Sequence, residues 1–417
     1  MHSLYIHIPF CTSRCRYCNF YFETGWSPRI MQRTLEGILQ ESRRHYHPGF
    51  FSARQLKTIY IGGGTPSTVP PDQFDSFLRQ LSENLRRTDP SWNPGHLREF
   101  CVECNPESLS QALLEVLHNH GVSRISLGVQ CFQDDLLHTL GRRATRGHAL
   151  DALNLLSGFW KGDFNVDLIT GIPGQTRQNL LADLDTAREF DPAHISVYSL
   201  TIEPRTPLEQ YIRAGLAPLP EQEYDTLWFI AHDYLETHGY TNYEISNFAR
   251  PGAESAHNLS YWAMTPYIGL GPGAVSTLPT GNPRQPAIRT TNPDIFAYSP
   301  PSRPLGDYTP HREHLSPWEL LADHILTATR TRRGLSRSLL NTRFSLDLPS
   351  GRGFPPAMDD LVLRAIRAGA WTEEWIDSPD ALSLTSKGRF AHNAVILDLL
   401  SSLSELIQNF SLLSTWP

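Results

Sequence analysis

The chain has 417 residues, 40% hydrophobic and 19% charged, with a formal net charge of -7. That mix excludes wholesale disorder, and without a basic surplus it excludes a broad nucleic-acid footprint. No apolar run reaches the ~20 residues of a membrane-spanning helix. No secretory or Arg-rich leader precedes Leu4, so a cytoplasmic location is expected.

Residues 3–8 alternate, with Leu4, Ile6 and Ile8 on one side and Tyr5 and His7 on the other. This predicts a strand that Pro9 ends. A cysteine-bearing loop and a helical stretch over 29–45 follow. Strands are then expected at 57–61, 98–103, 123–128, 165–170 and 194–200. Helices are expected at 71–86, 108–120, from 128 to about 157, and at 178–190 and 221–238. Strands alternating with helices of this length build a parallel sheet covered by helices. Six such units fall short of the eight of a closed barrel. The expected fold class is therefore α/β, an open, partial (β/α)6 TIM-like barrel over residues 1–240.

Residues 241–310 hold His257-Asn258-Leu259-Ser260-Tyr261-Trp262 and then become dense in proline: Pro279, Pro283, Pro286, Pro293, Pro300, Pro301, Pro304 and Pro310. The proline stretch reads as a linker or irregular crossing segment. In residues 311–417, helices are expected at 317–331, 336–344, 357–368 and 387–400, with residues 382–385 as the second strand of a hairpin. That predicts a small C-terminal winged-helix-like α+β domain. The apolar stretch from Leu399 to Leu413 suits either a docking helix or a cover for that domain's core.

There are six cysteines: Cys11, Cys15, Cys18, Cys101, Cys104 and Cys131. In a large chain without a leader, metal binding or catalysis is a better reading than disulfides. Cys11, Cys15 and Cys18 form a C-x3-C-x2-C run just after the first strand. An iron–sulfur cube usually takes four cysteines, so three leave one iron open to a small molecule. The competing reading is a zinc site, which wants a fourth ligand, and His7 is the nearest candidate. Cys101 and Cys104 lie three apart in a strand, hence on opposite faces. They and Cys131 read as buried structural thiols. Gly62, Gly63 and Gly64 sit at a strand's C-terminal end, where backbone without Cβ atoms approaches a ligand closely. A plain tight turn is the alternative. Glu103, Gln130 and Asp167 each end an expected strand and can share one mouth.

The run Leu4-Tyr5-Ile6-His7-Ile8-Pro9-Phe10-Cys11 resembles the oxygen-independent coproporphyrinogen III oxidase-like family of the radical S-adenosylmethionine (SAM) superfamily. Further matching blocks are Gly62-Gly63-Gly64-Thr65-Pro66, Glu103-Cys104-Asn105-Pro106-Glu107, Ser126-Leu127-Gly128-Val129-Gln130, Asp167-Leu168-Ile169 and Gly171-Ile172-Pro173-Gly174-Gln175-Thr176. Leu384-Thr385-Ser386-Lys387-Gly388-Arg389 looks like the family's C-terminal domain. The resemblance covers nearly the whole chain. It implies a [4Fe–4S] cluster on Cys11, Cys15 and Cys18, flanked by Tyr17. It also implies a SAM pocket formed by Tyr5, Gly63, Gly64, Thr65, Glu103, Gln130, Arg142 and Asp167, with Thr201 and Val275 as weaker matches.

The family holds two functions. Its decarboxylating members carry a further cysteine two residues past the third ligand, where this chain has Phe20, and an extension ahead of the first strand that is not seen here. Its haem-chaperone members carry His-Asn-x-x-Tyr-Trp, as this chain does. The resemblance therefore implies a haem carrier that passes haem to an acceptor protein, with no catalytic residue assigned. A neutral imidazole among aromatics suits a haem, which makes His257 the haem candidate; a structural histidine is the alternative. Ser255 stands where many chaperone relatives have a cysteine. The role allows peripheral contact with membrane haem proteins and involves no nucleic acid. Radical decarboxylation of coproporphyrinogen III is the rival activity, and a nucleic-acid-binding tail a weaker one.

Overall fold

The computed structural model describes residues 1–47, 51–300, 304–347, 356–408 and 410–416. Six strands run parallel in sequence order: β1 (His2–Ile8), β2 (Leu56–Gly63), β3 (Glu99–Cys104), β4 (Arg124–Gln130), β5 (Asp163–Thr170) and β6 (His194–Ser199). Their alternation sorts two chemistries. One face carries Ile6, Ile61, Val102, Ile125, Val166 and Ile195, all fully buried in the core shared with the outer helices. The other face lines the barrel's interior and is polar: Tyr5 pairs with Tyr60, Tyr60 with Cys101, Glu103 with Ser126, and Asp167 with Ser196. A parallel strand normally reads as an unbroken apolar run. Here the inward residues break that rule, which marks the interior as a working surface.

Both edges of the sheet are extended. Strand β8 (Asn247–Ala249) pairs antiparallel with β6, and β7 (Thr241–Glu244) pairs antiparallel with β8. Strand β9 (Tyr267–Leu270) pairs parallel with β1. Strands β10 (Val275–Asn282), β11 (Gln285–Thr291) and β12 (His311–Leu315) continue antiparallel and complete a twelve-stranded sheet.

This corrects the linker reading of the proline stretch. Pro279 sits opposite Ala287, Pro283 occupies the hairpin turn, and Pro286 lies inside β11. The register shifts between Pro279 and Asn282, where lost ladder hydrogen bonds cost little. Pro301 lies outside the described residues. The single helix expected after β4 is two, Asp134–Thr139 and Arg146–Phe159. Gly141, at φ +71°, turns the chain between them, and the Thr145 side chain caps the second.

The C-terminal region has its own core of Leu320, Leu321, Ile325, Leu340, Val362 and Leu382. Helices Pro317–Ala328, Arg337–Arg343 and Met358–Ala368 combine with a three-stranded sheet of β13 (Leu335–Ser336), β15 (Trp375–Asp377) and β16 (Ala381–Leu384). Helix, strand, two helices and a hairpin is the winged-helix order. Strand β14 (Phe344–Asp347) pairs with β17 (Ser411–Ser414). Leu399, Leu403 and Ile407 of helix His392–Ile407 point into this core, so that stretch covers the domain. Asn409, within it, is outside the described residues. Among the described residues no helix is long and apolar enough to cross a membrane.

Candidate cofactor site

The loop after β1 is held from both sides before it offers any sulfur. Cys11 N–H donates to the Glu23 carbonyl at 2.9 Å, and Glu23 N–H donates back to Pro9 at 2.7 Å. The Trp26 indole donates to the Cys11 carbonyl at 3.0 Å. Farther along, Arg16 N–H donates to Leu140, its carbonyl accepts from Leu208 N–H, and its guanidinium lies 4.4 Å from the Tyr211 ring centre. The loop is thereby anchored to segments beyond β4 and β6. All three sulfur-bearing residues stay partly exposed.

Those residues open onto a cavity of about 380 Å³ at the C-terminal ends of the barrel strands, the end where such folds build their sites. Cys11, Cys15, Cys18 and Tyr17 line one side. Gly63, Gly64, Thr65, Glu103, Gln130, Arg142, Asp167 and Thr201 also line it. Twelve sequence-derived candidates are thus brought together.

Three are not. Tyr5 lies deeper in the interior, its hydroxyl donating to His7 Nδ1 at 2.9 Å and its ring stacked on Tyr60. Val275 opens β10 opposite Thr291, away from the cavity lining. His257 is only 1% exposed and lies well inside the barrel. Its Nδ1 sits 2.8 Å from Thr58 Oγ1, its ring stacks on Tyr60, and its backbone N–H donates to Glu99. Burial pushes its pKa down to about 3, so the ring is neutral. Haem cannot reach this imidazole unless helix Ala256–Trp262 leaves its place.

Gly63 and Gly64 also meet a packing constraint. A Cβ on Gly63, at φ +114°, would lie 2.6 Å from the His7 ring, and one on Gly64 would lie 2.6 Å from the Pro9 carbonyl. The close approach is to the protein itself, and it lets Gly63 N–H donate to Glu103 at 3.1 Å.

The floor is built from hydrogen-bonded carboxyls. Glu103 accepts from the Tyr60 hydroxyl at 2.7 Å, and burial raises its pKa to about 7. Asp167 accepts from Ser126 at 2.9 Å and Asn165 at 2.7 Å, and burial raises it too. Two buried carboxyls that line one cavity are relieved by a cationic ligand. Gln130 adopts φ +73° at a register shift in β4, an uncommon state for a side-chain-bearing residue and one frequent at functional sites.

Sequence reasoning missed Asn105, which ties the site together. Its amide donates to Thr65 Oγ1 at 3.1 Å, and its carbonyl accepts from Arg142 at 3.1 Å. Thr65 Oγ1 lies 3.7 Å from Cys11 Sγ, and Arg142 Nη1 lies 3.7 Å from Cys15 Sγ. The signal was present, since Asn105 falls inside the quoted Glu103–Glu107 block. Cys104, read as structural, is buried yet reaches the cavity lining.

The donor set suits a cube better than a single ion. Among the described residues no three His, Cys, Asp or Glu side chains converge on one metal ion. A cube spaces its thiolates around it, one per iron. His7 is no zinc ligand here, because Nε2 donates to the Tyr21 carbonyl at 3.0 Å and Nδ1 accepts from Tyr5. Burial raises the Cys11 thiol to about 11, so ligation there releases a proton.

A half-closed barrel with a three-cysteine loop over an acidic floor defines a radical SAM protein, and residues 5–187 match the Radical SAM superfamily. The chain belongs to the HemW-like family within that superfamily. It is 32% identical over 408 residues to Heme chaperone HemW of Bacillus subtilis (strain 168), covering 97% of this chain and 100% of that protein. It is 35% identical over 294 residues to Heme chaperone HemW of Escherichia coli (strain K12), covering 69% and 73%. A solved structure of coproporphyrinogen III oxidase (HemN) from Escherichia coli superimposes with a TM-score of 0.74 at 20% identity, covering 96% of this chain and 89% of that one. At that identity the likeness speaks for the fold alone. Membership carries with it a [4Fe–4S] cluster and SAM.

Proposed function

We propose that this chain is a cytoplasmic haem chaperone that carries a [4Fe–4S] cluster on Cys11, Cys15 and Cys18 and passes haem to an acceptor protein. The observation that carries the reading is the cavity itself: three thiol groups face Glu103, Gln130 and Asp167 across one space, in a chain alike over its full length to a heme chaperone. SAM, when bound, supplies a ligand for the open iron and a source of one-electron chemistry. The Glu103 and Asp167 carboxyls suit its cationic groups, Arg142 suits its carboxylate, and Gly63, Gly64, Thr65, Gln130, Tyr17 and Thr201 surround it. Haem is cargo in this reading. Phe20, exposed where decarboxylating relatives carry a further cysteine, favours carriage over turnover.

The test is anaerobic reconstitution followed by haem titration. Iron and sulfide near four of each per chain, with a stable Soret band and no protoporphyrinogen formed from coproporphyrinogen III, is the expected result. Turnover of coproporphyrinogen III would make the protein an oxidase instead. Loss of haem binding in His257→Ala, with iron content intact, would show that the helix bearing His257 opens to admit the iron.

A further inference from the structure

We propose that the rim of the cavity is the docking face for the cargo, taking a planar apolar tetrapyrrole flat against aromatic side chains, with its two carboxylates on Arg14 and Arg143. The inference rests on the haem-chaperone reading and names the place where that cargo sits.

The rim is apolar where a soluble protein normally is not. Phe20 is 76% exposed and lines the opening. Phe22 lines it too, with the Arg14 guanidinium 5.6 Å from its ring centre. Large aromatics left bare around one opening mark a binding face, and flat rings suit a flat macrocycle.

Charge sorts the orientation. Arg14 and Arg143 are both exposed at the rim, in a chain whose acidic residues outnumber its basic ones. Neither makes an ion pair with an acidic side chain among the described residues. The floor is the opposite, since Glu103, Glu107 and Asp167 all line the cavity below. A dicarboxylate is repelled from that floor and held at the rim, where guanidinium–carboxylate bonds form. A cationic ligand sorts the other way. The two ligand chemistries therefore stack in one opening without competing for the same groups.

The site also predicts something about iron. His257 is sealed inside the barrel and, among the described residues, no histidine lines the opening, so the macrocycle and its carboxylates carry recognition. Metal-free protoporphyrin IX is then a competitor of haem.

The experiment is Soret titration of the anaerobically reconstituted full chain. The parent is compared with the pair Arg14→Glu/Arg143→Glu, the pair Arg14→Lys/Arg143→Lys, Phe20→Ser and His257→Ala, and each is checked for iron and sulfide. The glutamate pair should weaken haem by about tenfold or more, Phe20→Ser by several-fold, and the lysine pair by less than the glutamate pair. Protoporphyrin IX should displace haem from the parent, and added salt should weaken the parent more than the glutamate pair. If rim variants with full iron content bind haem as the parent does, or protoporphyrin IX fails to compete, the rim is not the site. An effect confined to His257→Ala overturns it equally. A parent that binds no haem at all fails the chaperone reading itself, whereas a binding parent with indifferent variants fails only the rim.

Discussion

His257 stacks on Tyr60 with ring centres 5.0 Å apart, and Tyr60 donates its hydroxyl to Glu103 at 2.7 Å on the cavity floor. The histidine is therefore a foot under the proposed SAM pocket. Thr58 Oγ1 donates to Ser3 at 2.9 Å, which leaves it to accept from His257 Nδ1. His257→Ala opens a hole beneath Tyr60 and removes that donor. The expected cost is about 2–4 kcal/mol in urea unfolding. SAM affinity should fall several-fold while bound iron stays at the parental level. A parental midpoint with parental SAM affinity would remove the foot from the account.

The same burial gives a pH signature. His257 is held down to about 3 by desolvation, against an ordinary value of 6.5. Above pH 6.5 both folded and unfolded forms are neutral, and the group leaves stability unchanged. As pH falls from 6.5 toward 3, the unfolded chain takes a proton that the folded one refuses, so stability is lost. The loss is at most ~1.4 kcal/mol per pH unit. The groups facing this helix turn are Thr58 and Tyr60 on β2, Tyr261 on its own helix, and Glu99, which bonds its backbone N–H and is itself paired with Arg124. His257→Phe lacks the titration and shares every other buried histidine with the parent. The stability gap between the two should narrow as pH drops from 6.5 to 5. A constant gap would mean the imidazole is reached by solvent.

Alternation made the barrel legible, because a strand with a β-branched outer face and a helix with a 3.6 repeat leave distinct patterns. The strand-end residues Glu103, Gln130 and Asp167 were legible for the same reason, since parallel strands deliver their C-terminal ends to one mouth. Strands β10 and β11 were hidden because proline and glycine, normally breakers, lie at a hairpin and its register shift. Asn105 was hidden by its chemistry, since an amide reveals its role only when both partners are seen. His257 stays ambiguous in the sequence because a histidine among aromatics looks alike whether it faces a ligand or a core.

Asn105 makes a testable brace. It bonds both Thr65 and Arg142, which approach Cys11 and Cys15. Asn105→Ala leaves the buried Arg142 short of an acceptor, at a cost of about 1–3 kcal/mol. The reconstituted variant should lose iron faster than the parent when challenged with a chelator, and Asn105→Gln should not restore it, since the longer arm cannot hold both bonds. Cys131→Ala is the control: Cys131 is fully buried and outside the cavity lining, so its iron should stay parental. Equal chelation rates for parent and Asn105→Ala would dismiss the brace.

The two regions of the chain meet through a buried charge. Arg330, just past helix Pro317–Ala328, lies 4.5 Å from the Trp262 ring centre, and Trp262 ends the helix that carries His257. The carboxylate acting on Arg330 is Glu244 of β7, which burial raises to about 7 and Arg330 pulls back down. Without Arg330 the Glu244 carboxyl rises further and takes up a proton, and a space opens against the indole, so Arg330→Ala should cost about 1–2 kcal/mol. Part of that is the lost contact with the indole face. Replacing both, as Arg330→Met with Glu244→Gln, leaves no carboxyl to protonate and keeps the volume filled. The double variant should therefore be more stable than Arg330→Ala in urea, and its tail should resist protease better. If it unfolds as readily as the single variant, the junction is held by packing rather than by this pair.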